Sequence, residues 1–201
     1  MQNIKAQKKL KNDGRKLRSI KSQNIIVDAL MQLIKKGILE PTAQQVADAA
    51  GISIRTVFRQ MEDMETLFFK MDEKIKHSYK KVIDSVEPKG NLLDRIHGLI
   101  NLETKIFEDN LQFIRSTLGI KFKYKTLQNN HQKADKDLKL LLYKWLPEMN
   151  YLDNSLQILL NSMNSVGYWI ELRENQMLSA KGATKLKVNI FKNTLLEKLT
   201  K

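Results

Sequence analysis

The sequence predicts an all-α protein organised around a helix-turn-helix, and three observations point that way. Only three prolines and eight glycines punctuate 201 residues, and runs of β-branched residues are few. Apolar residues recur three and four apart through most of the chain, which is helical periodicity. The stretch Thr42–Phe69, TAQQVADAAGISIRTVFRQMEDMETLFF, reads as a short helix, a glycine turn, a second short helix and the start of a third. That is the pattern of a motif that sets one helix in the major groove of DNA.

Taken in order, residues 1–21 form a basic N-terminal extension. Lys5, Lys8, Lys9, Lys11, Arg15, Lys16, Arg18 and Lys21 face Asp13 alone, a net charge of +7 in a chain whose total is +13. The extension is expected to touch DNA phosphates or lie in a minor groove, because releasing the counterions of duplex DNA drives binding. The alternative is a solvated basic tail, or an extension of the first helix that aids solubility. Residues 22–69 are expected to form the DNA-binding domain. Ile25, Ile26, Ala29, Leu30, Leu33 and Ile34 make the stripe of its first helix, which Gly37 closes. Pro41 cannot continue that helix. Thr42 and Gln45 fit a capping box at the next helix start. Val46, Ala47 and Ala50 give that helix a small inward face, and Gly51 can end it in a left-handed conformation. Ile52 fits the angle between the helices, and Ser53 is placed to cap the second one. Val57 and Met61, four apart, share its inner face, leaving the donor-rich Arg55, Thr56, Arg59 and Gln60 on or near the outer one.

Asp63 starts a helix to about Val86, ended by Pro88-Lys-Gly90. Helices are expected next over about 91–108, with Leu92, Ile96, Leu99, Ile100, Glu103 and Phe107 near one broad face, and over about 111–128. Another spans 135–146 and stops at Pro147. Asp153 or Asn154 caps a long helix carrying Leu156, Leu159, Leu160, Met163, Val166, Gly167 and Ile170. A last helix follows Ser179 with Ala183, Leu186, Ile190, Leu195 and Leu199.

The segment Ala43–Phe69 resembles the N-terminal domain of TetR/AcrR-type transcriptional regulators, and Tyr168–Leu178 is similar to the penultimate helix and following turn of many members. The resemblance implies a fourth helix linking the DNA-binding domain to a helical ligand-binding and dimerisation domain, residues 70–201. It implies a homodimer through the last two helices, a roughly palindromic operator and a small-molecule effector that shifts the population of DNA-competent states. Gly167 is expected to allow close approach at the dimer seam. By the resemblance Thr56 matches a phosphate-contacting threonine, Phe58 a position that is usually tyrosine, and Ile54, Arg55 and Gln60 positions that face bases or backbone. Phe58 lacks the hydroxyl, and Met64 stands where many members carry lysine. The expected DNA-binding set is Thr42, Gln44, Ser53, Ile54, Arg55, Thr56, Phe58, Arg59 and Gln60, with Lys9, Lys16 and Arg18 from the extension. No effector-binding residue can be chosen; Tyr79, Phe107, Phe113, Phe122, Tyr143 and Trp145 are candidates for a pocket wall or for ordinary core.

Other function classes find little support. There is no cysteine, so disulfides and thiolate metal sites are excluded. His77, His97 and His131 lack metal-ligand spacing, and no Gly-rich phosphate loop, Gly-x-Ser-x-Gly turn or His-Glu-x-x-His helix occurs. No enzyme activity, cofactor or metal is expected. No apolar run follows the basic residues before Ile25, and none approaches the ~18 residues of a membrane span. The expectation is a cytoplasmic repressor of transcription that binds double-stranded DNA without touching a membrane. The alternative is a basic helical protein that coats DNA without sequence preference.

Overall fold

The computed structural model describes the backbone of residues 2–199 and the side chains of residue 14 and residues 16–197. Regular structure among the described residues is helical: α1 (Gln2–Lys35), α2 (Ala43–Ala50), α3 (Ile54–Met61), α4 (Met64–Asp84), α5 (Leu92–Ile120), α6 (Lys125–Trp145), α7 (Asn154–Met163), α8 (Val166–Ile170) and α9 (Ala180–Leu199). A 3₁₀ turn covers Pro147–Tyr151, and a π-helical turn covers Glu171–Asn175. No helix among the described residues is long and apolar enough to cross a membrane.

The chain divides into two compact units, Met1–Lys76 with Gln112–Gln128, and His77–Leu111 with Asn129–Lys201. The first holds α1, α2, α3 and most of α4. Its core is the meeting of their apolar stripes: Ile26, Leu30 and Ile34 from α1, Val46 and Ala47 from α2, Val57 and Met61 from α3, and Leu67, Phe68 and Met71 from α4, all buried. The α1 stripe is placed slightly differently from the sequence reading. Ile25 is exposed and Val27 is buried in its stead. At 3.6 residues per turn Ile25 lies about 140° around the helix from Leu30, outside the arc that the other helices cover. The basic segment is not separate from α1, since the helix already begins at Gln2.

In the second unit Ile96, Leu99 and Ile100 of α5, Leu142 of α6, Leu160 of α7, Trp169 of α8, and Phe191 and Leu195 of α9 are fully buried. Gly98 makes the approach of Trp145 feasible, because a Cβ there would fall 2.5 Å from Trp145 Cζ3. Beside it Arg95 donates to the Trp145 carbonyl at 2.9 Å and to both carboxylate oxygens of Glu148. This fork holds the Glu148 carboxyl below its usual range and the Arg95 guanidinium above its own.

Three expected helix boundaries are corrected. The break expected near 109–110 is absent, because Glu108-Asp109-Asn110 contains no residue that stops a helix. Asn110 donates back to the Ile106 carbonyl at 2.8 Å, and Lys105 pairs with Asp109 at 2.7 Å across one turn. The chain breaks instead at residues 121–124, and α6 passes unbroken through 129–134. The long helix after Asp153 stops at Met163. There Asn164 is buried and donates to the Leu138 carbonyl at 3.3 Å, and Ser165 Oγ accepts from Tyr168 N to cap a new helix. In α9 the inward face is rotated: Lys187, Val188 and Phe191 are buried, whereas Leu186 and Ile190 are half-buried. The side chain of Leu199 lies outside the described residues.

Candidate nucleic-acid interface

The caps expected from the sequence build the scaffold. Thr42 Oγ1 accepts from Gln45 N at 3.3 Å, and Gln45 Oε1 accepts from Thr42 N at 2.8 Å, the two halves of a capping box. Gly51 closes α2 at φ 66°, in the left-handed region that glycine enters without a Cβ penalty. Ser53 Oγ accepts from Thr56 N at 3.3 Å and starts α3. Asp63 Oδ1 accepts from Thr66 N at 2.7 Å and starts α4. These groups close the orphan donors at three helix starts within about 25 residues, so the backbone of α2, α3 and α4 is largely set by local chemistry.

Between those caps, α3 is divided sharply. Val57 and Met61 are buried, while Ile54, Arg55, Phe58 and Arg59 are exposed on one continuous face. Two guanidinium groups, with five N–H donors each, therefore stand beside two exposed apolar side chains. Such a surface matches the major groove, where Arg pairs with guanine and apolar groups meet thymine methyls.

The other expected residues are engaged in the protein. Gln60 is half-buried; its side-chain oxygen accepts from Ser19 Oγ at 2.8 Å, and its carbonyl accepts from Gln23 Nε2 at 3.2 Å. It ties the end of α3 to α1. Gln44 donates to Asp48 Oδ1 at 2.8 Å within α2. Thr56 Oγ1 lies 3.0 Å from Ser53 Oγ, and Thr42 serves the capping box. Lys16 and Arg18 are exposed on α1, and Arg18 Nε donates to the Gly14 carbonyl at 3.1 Å. Lys16 precedes Ser19 by three residues and so shares the α1 face that meets α3. The side chain of Lys9 lies outside the described residues.

α1 itself is held by polar ties to α4. Lys70 Nζ donates to Gln23 Oε1 at 2.8 Å, and Lys74 pairs with Asp28 at 2.5 Å. The segment 112–128 also closes on this unit. Ser116 Oγ donates to the Leu39 carbonyl at 2.5 Å, Thr126 N donates to Glu65 Oε1 at 3.0 Å, and Tyr124 stacks on Phe68 with ring centroids 6.4 Å apart.

The candidate pocket aromatics differ in their surroundings. Phe107, Phe113 and Trp145 are buried core, whereas Phe122 is 81% exposed. A small cleft of about 230 Å³ in the second unit is lined instead by side chains including Leu138, Asn161, Asn164 and Ser165, with none of the six aromatics. The side-chain oxygens of Asn161 and Asn164 are buried there without a hydrogen-bond partner. The same unit holds a buried ion pair that sequence reasoning missed, Lys187 Nζ to Glu103 Oε2 at 2.9 Å. Its one visible signal was a glutamate within the apolar face of α5. Among the described residues, no group of three or more His, Asp or Glu is arranged to hold a metal ion.

Comparisons with known proteins bear on the fold. No protein-family model and no curated protein matches the sequence. The structure is similar to a crystal structure from Pseudomonas aeruginosa PAO1 whose protein carries the provisional description of a transcriptional regulator. The TM-score is 0.60 at 13% sequence identity, covering 86% of this chain and 89% of that one. The shared all-α architecture thus extends over both units.

Proposed function

We propose that this protein is a sequence-specific DNA-binding regulator of transcription, a ligand-responsive repressor of the TetR/AcrR type that acts as a homodimer on a roughly palindromic operator. The observation that carries the reading is the exposed face of α3, where Arg55 and Arg59 stand beside Ile54 and Phe58 on a helix capped at its start. The architecture shared with a protein described as a transcriptional regulator supports it. α1 continues for about 25 Å on the N-terminal side of Ser19, at 1.5 Å per residue. A helix roughly 10 Å across does not enter a minor groove about 6 Å wide, so in this reading the basic segment meets phosphates from outside.

The homodimer reading draws support from the last helices. Ile158 and Leu159 on α7 and Leu196 on α9 remain exposed, as does Gly167, whose position would admit a Cβ with only Ser165 Oγ within 4 Å. Such a dimer demands two half-sites. Enrichment of random duplexes by the purified protein is therefore expected to recover one site with two-fold symmetry, bound ~10³-fold or more above random duplex. Recovery of no preferred sequence would leave the DNA-coating alternative standing.

The effector, in this reading, enters the cleft at Asn161 and Asn164, whose unpartnered oxygens suit a hydrogen-bond donor. A small molecule acting there releases operator from the parent and not from Asn164→Leu. Equal release from both proteins would place its site elsewhere.

A further inference from the structure

We propose that the loop joining α5 to α6, Lys121-Phe-Lys-Tyr124, together with Lys125 at the start of α6, is a second DNA-backbone contact of the first unit, resting on the DNA-binding reading above. The loop is anchored at the starts of α2 and α4, the helices that precede and follow α3 in the chain. Lys123 Nζ pairs at 2.5 Å with Glu40, two residues before the α2 cap Thr42. Thr126, just past the loop, donates from its backbone N–H and its hydroxyl to Glu65, the second residue of α4. Tyr124 stacks on Phe68 of the same helix. These three ties leave the loop little freedom to move away from the edge it borders.

That edge would be poor for DNA without the loop. Glu40, Asp63 and Glu65 place three carboxylates at the starts of α2 and α4, and duplex DNA repels such a cluster. The burial of Tyr124 and then the charges of Glu40, Asp63 and Glu65 push its phenol above the ordinary range, with Lys123 pulling the other way. Lys123 neutralises Glu40, and Thr126 occupies a Glu65 oxygen. Lys125 donates to the neutral Gln128 amide oxygen at 2.9 Å. Lys121 Nζ stands 5.1 Å from the centroid of the Phe122 ring. The three lysines Lys121, Lys123 and Lys125 thus offset the acids of this edge, and of them Lys121 and Lys125 have no carboxylate partner among the described residues.

Phe122 is the second observation. It is 81% exposed at the tip of the loop, an unusual place for a phenylalanine, with an ammonium over its face. An aromatic plate carrying a cation suits the deoxyribose and phosphate of a backbone. An anionic lipid surface shares part of this chemistry. The anchoring to helix starts on either side of α3 favours DNA.

The test uses Lys121→Gln/Lys125→Gln in the full chain, which removes two charges and spares Lys123, Tyr124 and Thr126. Affinity for the enriched duplex is measured against salt, together with the unfolding midpoint. The slope of log affinity against log salt is expected to fall by about 1.8, at ~0.9 per phosphate contact. Base preferences and unfolding midpoint should match the parent. Phe122→Ala should weaken all duplexes alike. An unchanged slope in a variant of a parent that binds DNA overturns the loop assignment alone. The assignment falls equally if the variant loses binding to anionic phospholipid vesicles while its DNA slope is intact. A parent that binds no duplex overturns the functional reading, and the loop contact with it.

Discussion

Lys187→Met is expected to destabilise the protein by about 3–5 kcal/mol, because it strips the partner from a carboxylate that water cannot reach. Glu103 and Lys187 are 0% and 1% exposed in their side chains, and their charged atoms lie 2.9 Å apart. One carboxylate oxygen of Glu103 has no hydrogen-bond partner, and the ammonium lies 5.8 Å from the centroid of the Phe107 ring. Burial pushes the Glu103 carboxyl above its usual range, with Lys187 and then Asn164 pulling the other way. Without Lys187 only the Asn164 hydrogen bond opposes the upward push, so the folded variant takes up a proton at a pH where the unfolded chain does not. Its stability should then rise as pH falls from neutral toward the ordinary carboxylate range. Glu103→Leu/Lys187→Met, which removes both charges, should lie close to the parent or above it. Urea unfolding at two pH values for parent, single and double variants settles the matter. A single variant within about 1 kcal/mol of the parent, or one that weakens relative to the double variant on acidification, would show that the pair is not isolated from solvent.

Arg55→Ala is expected to cost about 1–3 kcal/mol at one position of the enriched duplex and to relax base preference there. Arg55 is fully on the outer side of α3, opposite Val57 and Met61, so its loss leaves the core untouched. Removing residues 2–14 should do the opposite. Base preference should persist while the salt dependence becomes shallower, because in the proposed reading that segment meets phosphates with Lys5, Lys8, Lys9 and Lys11. The two effects are read in one competition assay against variant duplexes at several salt concentrations. If Arg55→Ala retains parental preference at every position, the base-reading role belongs to another residue. If the truncated chain keeps the parental slope, the basic segment is only solvated.

The helix-turn-helix scaffold was legible because its determinants are local. Thr42 and Gln45 sit three apart, Gly51 follows directly on its helix, and Ser53 bonds to a residue three further on. Propensity and capping act over such distances, and neighbouring residues in sequence report them. The outer face of α3 was partly legible. Periodicity separated Val57 and Met61 from Arg55 and Arg59, but nothing nearby in sequence says that Gln60 is held by Ser19, 41 residues away. A polar side chain at a helix edge can face solvent or a neighbour, and only the neighbour's position decides.

The breaks after α5 and α7 show the same limit. Neither Lys121–Tyr124 nor Asn164 carries a proline or glycine. At the first, the stacking of Tyr124 on Phe68 and the bonds of Thr126 to Glu65 accompany a chain reversal. At the second, Asn164 is buried with its amide on Leu138, and Ser165 restarts the helix.

From sequence alone came the all-α class, the caps and turn of the reading motif, the basic surplus, and the residues that could face DNA. Each follows from preferences expressed within about one or two turns of helix. Tertiary structure alone decided which donors remain exposed on α3, that residues 112–128 close against the first four helices, and that Glu103 finds Lys187 across 84 residues of chain. Those outcomes depend on which surfaces lose their water when distant segments meet. Burial multiplies the energetic weight of every polar group it encloses, and no local pattern encodes where that burial falls.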